Sequence, residues 1–252
     1  CGDWIMRYKA IVAYDGSNYC GWQTQKRGDS IEETIEKALS TMHKCQINIV
    51  GAGRTDGGVH AYGQVFHFDS DKVIDSEHYT RGLNSLLPKD IRIQSVDQVS
   101  DDFHARFSST AKQYDYLISN KTKDPFIQNY MKLDWMNLDL EAIRQCANVF
   151  VGTHDFTSFT SNKIDPRKSR IRTIDKIEVI EEKDYIRLIF IGNGFLRYMV
   201  RMIAQVLIEA GKHALSKDDL VYMLEAKDKD INRYKAESNG LYLMKVFYEE
   251  RL

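Results

Sequence analysis

Two hydrophobic periodicities alternate along these 252 residues, and this alternation constrains the fold more than any single motif does. Short runs with apolar residues at every second position indicate half-buried strands, and apolar residues three or four positions apart indicate amphipathic helices. The predicted helices cover residues 31–42, 79–87, 140–150 and 195–210. The predicted strands cover residues 8–14, 47–50, 64–68, 91–96, 113–118, 171–180, 185–191 and 241–248. Strands and helices mixed in this way predict an α+β protein.

Local signals define several of these boundaries. Ser30 and Glu33 are spaced as a capping box at the start of the first helix, and Pro88 is predicted to end the second. Residues 181–184 form the turn of a predicted hairpin. The length allows one large or two small domains, and we expect two α+β halves, residues 6–105 and 106–252. No internal repeat is strong enough to prove a duplication.

The chain lacks the sequence features of a membrane, secreted or zinc-binding protein. No apolar run approaches the roughly 20 residues that span a bilayer, and no basic segment followed by an apolar one marks a secretory signal. The four cysteines include no C-x-x-C pair, and the seven histidines show no metal-ligand spacing. We therefore expect a reduced, cytoplasmic protein that binds no metal, and the origin of residues 1–5 stays open.

The densest candidate chemistry lies in the glycine-rich string G-A-G-R-T-D-G-G-V-H-A, residues 51–61. A P-loop needs Lys followed by Ser or Thr at its end, and a dinucleotide fingerprint needs a third glycine and a helix directly after it. Neither is present, so strand, glycine loop and strand follow one another. The loop presents Arg54 and Asp56, which form either a structural turn with an ion pair or a ligand site.

The predicted helix 195–210 is apolar nearly all round, which is typical of a buried helix. Arg197 and Arg201, four positions apart, are the exceptions on the side opposite its most apolar face. A buried guanidinium needs an anionic partner. Either both arginines reach solvent along a narrow strip, or one of them pairs with a carboxylate in a site.

The net charge of −1 hides an uneven distribution. Residues 162–176 carry six basic side chains against two acidic ones, and residues 106–123 carry four against one. Residues 69–102, in contrast, carry eight acidic and four basic side chains. Such runs are often only solvated surface, but two basic stretches also suit a polyanion across one face. Tyr114 and Tyr116 alternate on a predicted strand and point either into the core or toward a flipped base.

Seven strings along the chain together resemble the signature motifs of the bacterial tRNA pseudouridine synthase A family. They occur in the order of that family and cover nearly the whole chain from residue 7 to residue 248. They are Y-D-G-S-N-Y-C-G-W-Q (14–23), G-R-T-D-G-G-V-H-A (53–61), D-F-H-A-R-F (102–107), K-Q-Y-D-Y (112–116), H-D-F-T-S-F (154–159), N-G-F-L-R-Y-M-V-R (193–201) and G-L-Y-L (240–243). Gly57 departs from the pattern, since the family usually has Ala there, and Cys20 is a milder departure.

The resemblance implies a role for each matching residue. Asp56 would be the catalytic aspartate, and Arg54 would help to evict the target base from the stack. Tyr114 would pack against the uracil, Arg201 would pair with Asp56, and Leu241 would line the base pocket. Contacts to the RNA backbone are expected from Arg167, Lys168, Arg170 and Arg197.

The same resemblance implies the fold and the reaction. The fold would be that of the pseudouridine synthases, with two ferredoxin-like halves that form a mixed, mainly antiparallel sheet with a central cleft. The enzyme would act as a homodimer on tRNA and isomerise uridines 38, 39 and 40 of the anticodon stem-loop. Because the reaction is an isomerisation, it needs no cofactor.

The residues leave some alternatives open. One carboxylate can serve every proposed route, whether it adds covalently to the substrate or takes the 2′ proton to give a glycal. A glycoside hydrolase would need two carboxylates flanking the bond, and after Asp56 the next acid in sequence is Asp69. A catalytically inactive RNA-binding protein or chaperone would explain the basic stretches and the aromatics, but not a pair of Asp56 with Arg201.

Overall fold

The computed structural model describes residues 5–26, 28–119, 124–134, 137–161, 165 and 167–249. Residues 1–4 and Lys121, Lys123 and Lys163 of the basic stretches lie outside the described residues. The α-helices are α1 (Ile31–His43), α2 (Ser76–Leu86), α3 (Leu140–Ala147), α4 (Met199–Gly211) and α5 (Lys217–Ala226). The strands are β1 (Met6–Tyr14), β2 (Val50–Gly51), β3 (His60–Ser70), β4 (Ile91–Val99), β5 (Ala111–Ser119), β6 (Lys132–Leu133), β7 (Gly152–Asp155), β8 (Ile171–Glu181), β9 (Tyr185–Gly192) and β10 (Leu241–Phe247).

The chain divides into two compact units. The first contains the residues up to Thr110 together with those from Tyr242 onward, and the second runs from Ala111 to Leu241. The last strand was predicted to belong to the second half, whereas its contacts group it with the first. The Thr110 N–H donates to the Phe247 carbonyl at 2.8 Å, for example. Because this pairing joins residues that are distant in sequence, a local periodicity cannot predict it.

The first unit contains a sheet in the order β4-β1-β3-β10, with β2 paired to β3. β1 is antiparallel to both β3 and β4, and β10 is parallel to β3. Every second side chain of β1 from Tyr8 to Tyr14 is buried, as period-two alternation predicts. α2 packs against β4 and α1. The side chains that fill this core include the fully buried Trp22, Ile31, Ile35, Leu39, Phe66, Phe68 and Tyr79.

The second unit contains an antiparallel sheet in the order β5-β9-β8-β7, with β6 parallel to β5. β8 and β9 form the hairpin predicted across residues 181–184. α4 contacts α3 and β5, and ten of its thirteen residues are buried. The prediction of a buried helix is therefore confirmed. Both units combine helices with a mainly antiparallel sheet, so the predicted α+β class is confirmed as well.

Several predicted boundaries need correction. The helix predicted over 195–210 begins only at Met199, because Tyr198 has a left-handed backbone with φ of 67°. The helix predicted over 140–150 ends at Ala147, and a single 3₁₀ turn covers Asn148–Phe150. The strand predicted over 47–50 is reduced to Val50–Gly51, and the one predicted over 64–68 extends to His60–Ser70.

The capping signals are only partly as predicted. The Ser30 hydroxyl accepts from the Glu33 N–H at 3.2 Å, but the Glu33 carboxylate forms an ion pair with Lys37 at 2.8 Å. The reciprocal capping box occurs instead at α5, which the sequence analysis missed, between Ser216 and Asp219. Within the described ranges, no helix is long and apolar enough to span a membrane.

Candidate active site

The loop that carries Asp56 connects β2 to β3 in the first unit, and residues 52–59 are called the Asp56 loop below. β2 and β3 pair antiparallel, so the predicted order of strand, glycine loop and strand is confirmed. The Ala52 N–H donates to the Val65 carbonyl at 2.7 Å, and the buried Gln64 amide donates to the Gly53 carbonyl at 2.9 Å. These bonds hold the entry of the loop against β3.

The segment after β1 supports the other side of the Asp56 loop. Gly21 forms an isolated antiparallel bridge with Asp56, and the Trp22 N–H donates to the Thr55 carbonyl at 3.0 Å. Gly21 has a φ of 117°, and a Cβ there would lie 2.6 Å from the Thr55 carbonyl oxygen. Only glycine allows this approach. The strings 14–23 and 53–61 are therefore two parts of one backbone arrangement.

Thr55 anchors the loop, and its two neighbours project away from the core. Its hydroxyl lies 2.8 Å from the Tyr14 hydroxyl, and both side chains are buried. Burial raises the pKa of Tyr14 well above its ordinary value, so the phenol keeps its proton. Arg54 is exposed and Asp56 is half-buried. A carboxylate and a guanidinium thus flank one buried residue on a loop that the core holds in place.

His60 also shapes this region, although the sequence did not predict a role for it here. Its side chain is buried, and its Nδ1 atom accepts from the Gly16 N–H at 3.0 Å. The ring also lies 4.8 Å from that of Tyr242. His60 therefore links the turn after β1 to the end of the Asp56 loop, and its position within the 53–61 string was the available signal.

Other candidate residues lie in the second unit, which is described by itself. Tyr114 lies on β5 with 8% of its surface exposed, and its ring meets the Phe195 ring edge-to-face at 5.3 Å. The fully buried Tyr116 donates its hydroxyl to the Glu237 carbonyl at 2.8 Å. Tyr116 is thus a core residue, whereas Tyr114 keeps some exposed surface. Leu241 begins β10 and is 6% exposed.

The two arginines predicted to share one helix differ in position. Arg201 lies in the first turn of α4 and is half-buried, whereas Arg197 precedes the helix and is exposed. The Arg201 Nε donates to the Ala236 carbonyl at 2.8 Å, and the Ala236 N–H donates to the Arg201 carbonyl at 3.0 Å. Arg197 donates from Nη2 to the Tyr198 hydroxyl at 3.1 Å. The predicted stripe of two helical arginines is therefore wrong for Arg197.

The basic residues before β8 lie on a surface loop. Arg167 is exposed and contacts both carboxylate oxygens of Asp165, at 3.1 and 3.0 Å. This hydrogen bonding lowers the pKa of Asp165. Lys168 is exposed, and Arg170 is half-buried with an Nε that has no hydrogen-bond partner among the described residues. Asp165 thus offsets part of the positive charge of this loop.

The structure therefore brings Arg54 and Asp56 together on one loop of the first unit. It places Tyr114, Arg197, Arg201 and Leu241, with the 167–170 loop, in the second unit. The pair of Asp56 with Arg201 stays a prediction. In the part of the chain that the structure describes, no three His, Cys, Asp or Glu residues group so that they could hold a metal ion.

Comparison with known proteins gives a consistent result. A family model described as "tRNA pseudouridine synthase" matches residues 10–108 and 146–249. The chain is 42% identical over 246 residues to the tRNA pseudouridine synthase A of Exiguobacterium sp., which covers 98% of this chain and 99% of that protein. It is 42% identical over 249 residues to that of Listeria monocytogenes, covering 97% of this chain and 100% of that one. The tRNA pseudouridine synthase A 1 of Bacillus cereus is 41% identical over 244 residues, covering 96% of this chain and 98% of that relative.

Proposed function

This chain belongs to the tRNA pseudouridine synthase family, and from that premise we propose that it isomerises uridines 38, 39 and 40 of the tRNA anticodon stem-loop. One observation carries the proposal. In a chain that matches its relatives over nearly its whole length, the residues flanking buried Thr55 present a carboxylate and a guanidinium on a loop that hydrogen bonds hold against the core. The reaction breaks the N1–C1′ bond, rotates the uracil and joins C5 to C1′, so no atom is gained or lost.

Asp56 supplies the carboxylate in this proposal. It adds to the substrate, or it takes the 2′ proton to give a glycal. Its half-burial supports both roles, because the group is reachable from solvent and yet held by the bridge to Gly21. Fixed placement of a reacting group lowers the entropic part of a barrier.

The other residues act on the flipped nucleotide. A base inside a stem must leave the stack before it can react, and the exposed Arg54, two positions before Asp56, fills the gap that it leaves. Tyr114 packs against the uracil, and Leu241 lines its pocket. The Nε of Arg201 is held by the Ala236 carbonyl, and its Nη atoms carry the donors for a pair with Asp56.

The proposal extends to partners and location. The substrate is a tRNA, and its phosphates contact Arg167, Lys168, Arg170 and Arg197. Three of these four residues are exposed, which supports a role at a polyanion. The chain acts as a homodimer in the cytoplasm and without a cofactor.

Mapping of pseudouridine in RNA tests this proposal. The purified chain is incubated with an unmodified tRNA transcript that has uridine at all three positions, and pseudouridine is then located chemically. We expect conversion at 38, 39 and 40 and at no other uridine. Conversion confined to other positions would show that the chain is a paralogue with another target, and no conversion of any tRNA would refute the enzyme assignment.

A further inference from the structure

Tyr198, the residue before α4, has an unusual backbone. Its φ of 67° lies in the left-handed region, which disfavours residues with a Cβ atom. It caps α4 without a side-chain hydrogen bond to the helix. A strained non-glycine residue of this kind persists where the surrounding structure holds it, and such residues concentrate at functional sites.

Three cationic groups surround the ring of this tyrosine. The Lys235 Nζ lies 4.4 Å from the ring centroid, the Arg197 guanidinium carbon 4.8 Å and the Arg201 guanidinium carbon 5.3 Å. All three distances are within the range of cation–π attraction. Tyr198 therefore gathers three cations around one ring.

The three cations are held differently. Arg201 is half-buried and bonded to the Ala236 carbonyl, as described above. Arg197 and Lys235 are exposed. Arg197 donates a hydrogen bond to the Tyr198 hydroxyl. The backbone bond from Ala236 to Arg201 holds the neighbouring Lys235 beside the start of α4. Two solvent-facing charges of one sign are thus fixed on one ring.

Cations that are fixed close together attract an anion. Each group lies within 5.3 Å of the same centroid, so no pair is separated by more than about 10 Å, which is close to the Debye length at 0.1 M salt. Lys235 has no carboxylate partner in the described part of the chain. An arginine fork beside an ammonium group suits the oxygens of a phosphate, which accept from both.

We propose that Tyr198 is a positioning residue that holds Arg197 and Lys235 as a pair for one phosphodiester of the RNA backbone. This inference rests on the proposed function, because it takes RNA as the substrate. It adds Tyr198 and Lys235, which the sequence motifs do not assign to RNA binding. Arg201 shares the ring but keeps its own place through Ala236.

The salt dependence of tRNA binding tests the proposal. For one phosphate contact, the slope of log K against log salt is expected to fall by about 0.9 when the contact is lost. We expect this loss for the double variant Arg197→Ala/Lys235→Ala. We expect a similar loss for Tyr198→Leu, which removes the ring but no charge. Tyr198→Phe keeps the ring and should keep most of the slope.

Lys89→Ala/Lys183→Ala is the matched control, since both lysines are exposed in acidic parts of the chain. It removes two charges, as Arg197→Ala/Lys235→Ala does, and should leave the slope unchanged. Binding is measured rather than turnover, because Tyr198 also contacts Arg201 of the proposed catalytic site. A melting curve for each variant shows that it is folded.

Two results would overturn the proposal. If Arg197→Ala/Lys235→Ala and the lysine control give the same slope, the pair does not contact RNA. If Arg197→Ala/Lys235→Ala lowers the slope but folded Tyr198→Leu does not, the ring does not position the pair. Should Tyr198→Leu fail to fold, the comparison of Arg197→Ala/Lys235→Ala with the control still decides the first point. Failure of the proposed function is distinguishable, because the wild-type chain would then form no pseudouridine in the same tRNA.

Discussion

Gly57 and Gly58 are neighbours in the Asp56 loop, but the backbone requires glycine only at the second. Gly58 has a φ of 81°, whereas Gly57 lies outside the left-handed region, and a Cβ there would meet the backbone of Tyr19 and Cys20 at an ordinary 3.4 Å. The family resemblance is consistent with this, because alanine is usual at the first position.

We predict opposite effects of alanine at these two positions. Gly57→Ala should raise the free energy of unfolding by about 0.4–1 kcal/mol, since it restricts the unfolded chain without strain in the folded one. Gly58→Ala should lower it by about 1–2 kcal/mol, because its side chain is forced into the left-handed region. Urea denaturation measures both, and a stabilised Gly58→Ala would contradict the described loop backbone.

His67 makes the stability of the first unit depend on pH. Its Nδ1 accepts from the Ala105 N–H at 3.0 Å, and burial, with smaller effects of Arg7 and His104, lowers its pKa to about 4. The unfolded chain takes up this proton near pH 6.5, so the stabilisation is present above that pH and is lost as the pH falls toward 4.

We therefore predict that the free energy of unfolding falls by about 1–2 kcal/mol between pH 7 and pH 5 through this histidine. His67→Asn keeps an acceptor near the position of Nδ1 and removes the titration. Its denaturation midpoint should depend less on pH than that of the wild type. An equal pH dependence in both proteins would show that His67 does not carry the effect.

At the scale of elements, α5 depends on its capping box. The Ser216 hydroxyl accepts from the Asp219 N–H at 3.2 Å, and the Asp219 carboxylate accepts from the Ser216 N–H at 2.7 Å. Asp219→Ala should cost about 1 kcal/mol and lower Tm by about 2–4 °C. Asp218→Ala, also in the first turn of α5, is the control and should lower Tm by less. Equal shifts would mean that the box does not stabilise the helix.

The elements that the sequence predicted best are those with local signals. The hairpin of β8 and β9 was predicted because two strand patterns flank a four-residue turn. The start of α4 was missed because the apolar pattern continues through residues 195–198, while the left-handed backbone of Tyr198 excludes them from the helix. α5 was missed because it is short and Asp219 replaces the Glu or Gln expected in a capping box.

The candidate site was predictable in part, for a similar reason. Arg54, Asp56 and Arg201 stand out as charges in glycine-rich or apolar surroundings, and the ordered motifs gave them roles. Gln64 and His60 support the Asp56 loop through hydrogen bonds across 11 and 44 positions of sequence. No spacing rule reports such contacts. Lys235 was not predicted because Arg197, Tyr198 and Arg201, the residues it meets around the Tyr198 ring, lie more than thirty positions earlier in the sequence.

At the scale of the whole molecule, the net charge of −1 says little about the partner. Exposed Arg167 and Lys168 and half-buried Arg170 lie on one loop, even though Asp165 offsets part of that charge. If this loop contacts tRNA, its charges release counterions on binding, and the affinity depends on salt because of them.

We predict that replacing Arg167, Lys168 and Arg170 together by alanine weakens tRNA binding and lowers the salt slope by about 1–3 units. Replacement of Arg81, Lys89 and Lys183, which are exposed in acidic parts of the chain, removes the same charge as a control. Filter binding at several salt concentrations measures both. Equal slopes for the two triple variants would exclude the 167–170 loop from the RNA contact.

Asp56→Asn tests most directly whether Asp56 performs the chemistry. The substitution keeps the size of the side chain and removes the carboxylate. Asp69→Asn is the control, because Asp69 pairs with Arg7 at 2.7 Å in the same unit. We predict that Asp56→Asn binds tRNA with close to wild-type affinity and forms no pseudouridine, while Asp69→Asn remains active. Pseudouridine formation by Asp56→Asn at the wild-type rate would contradict the account.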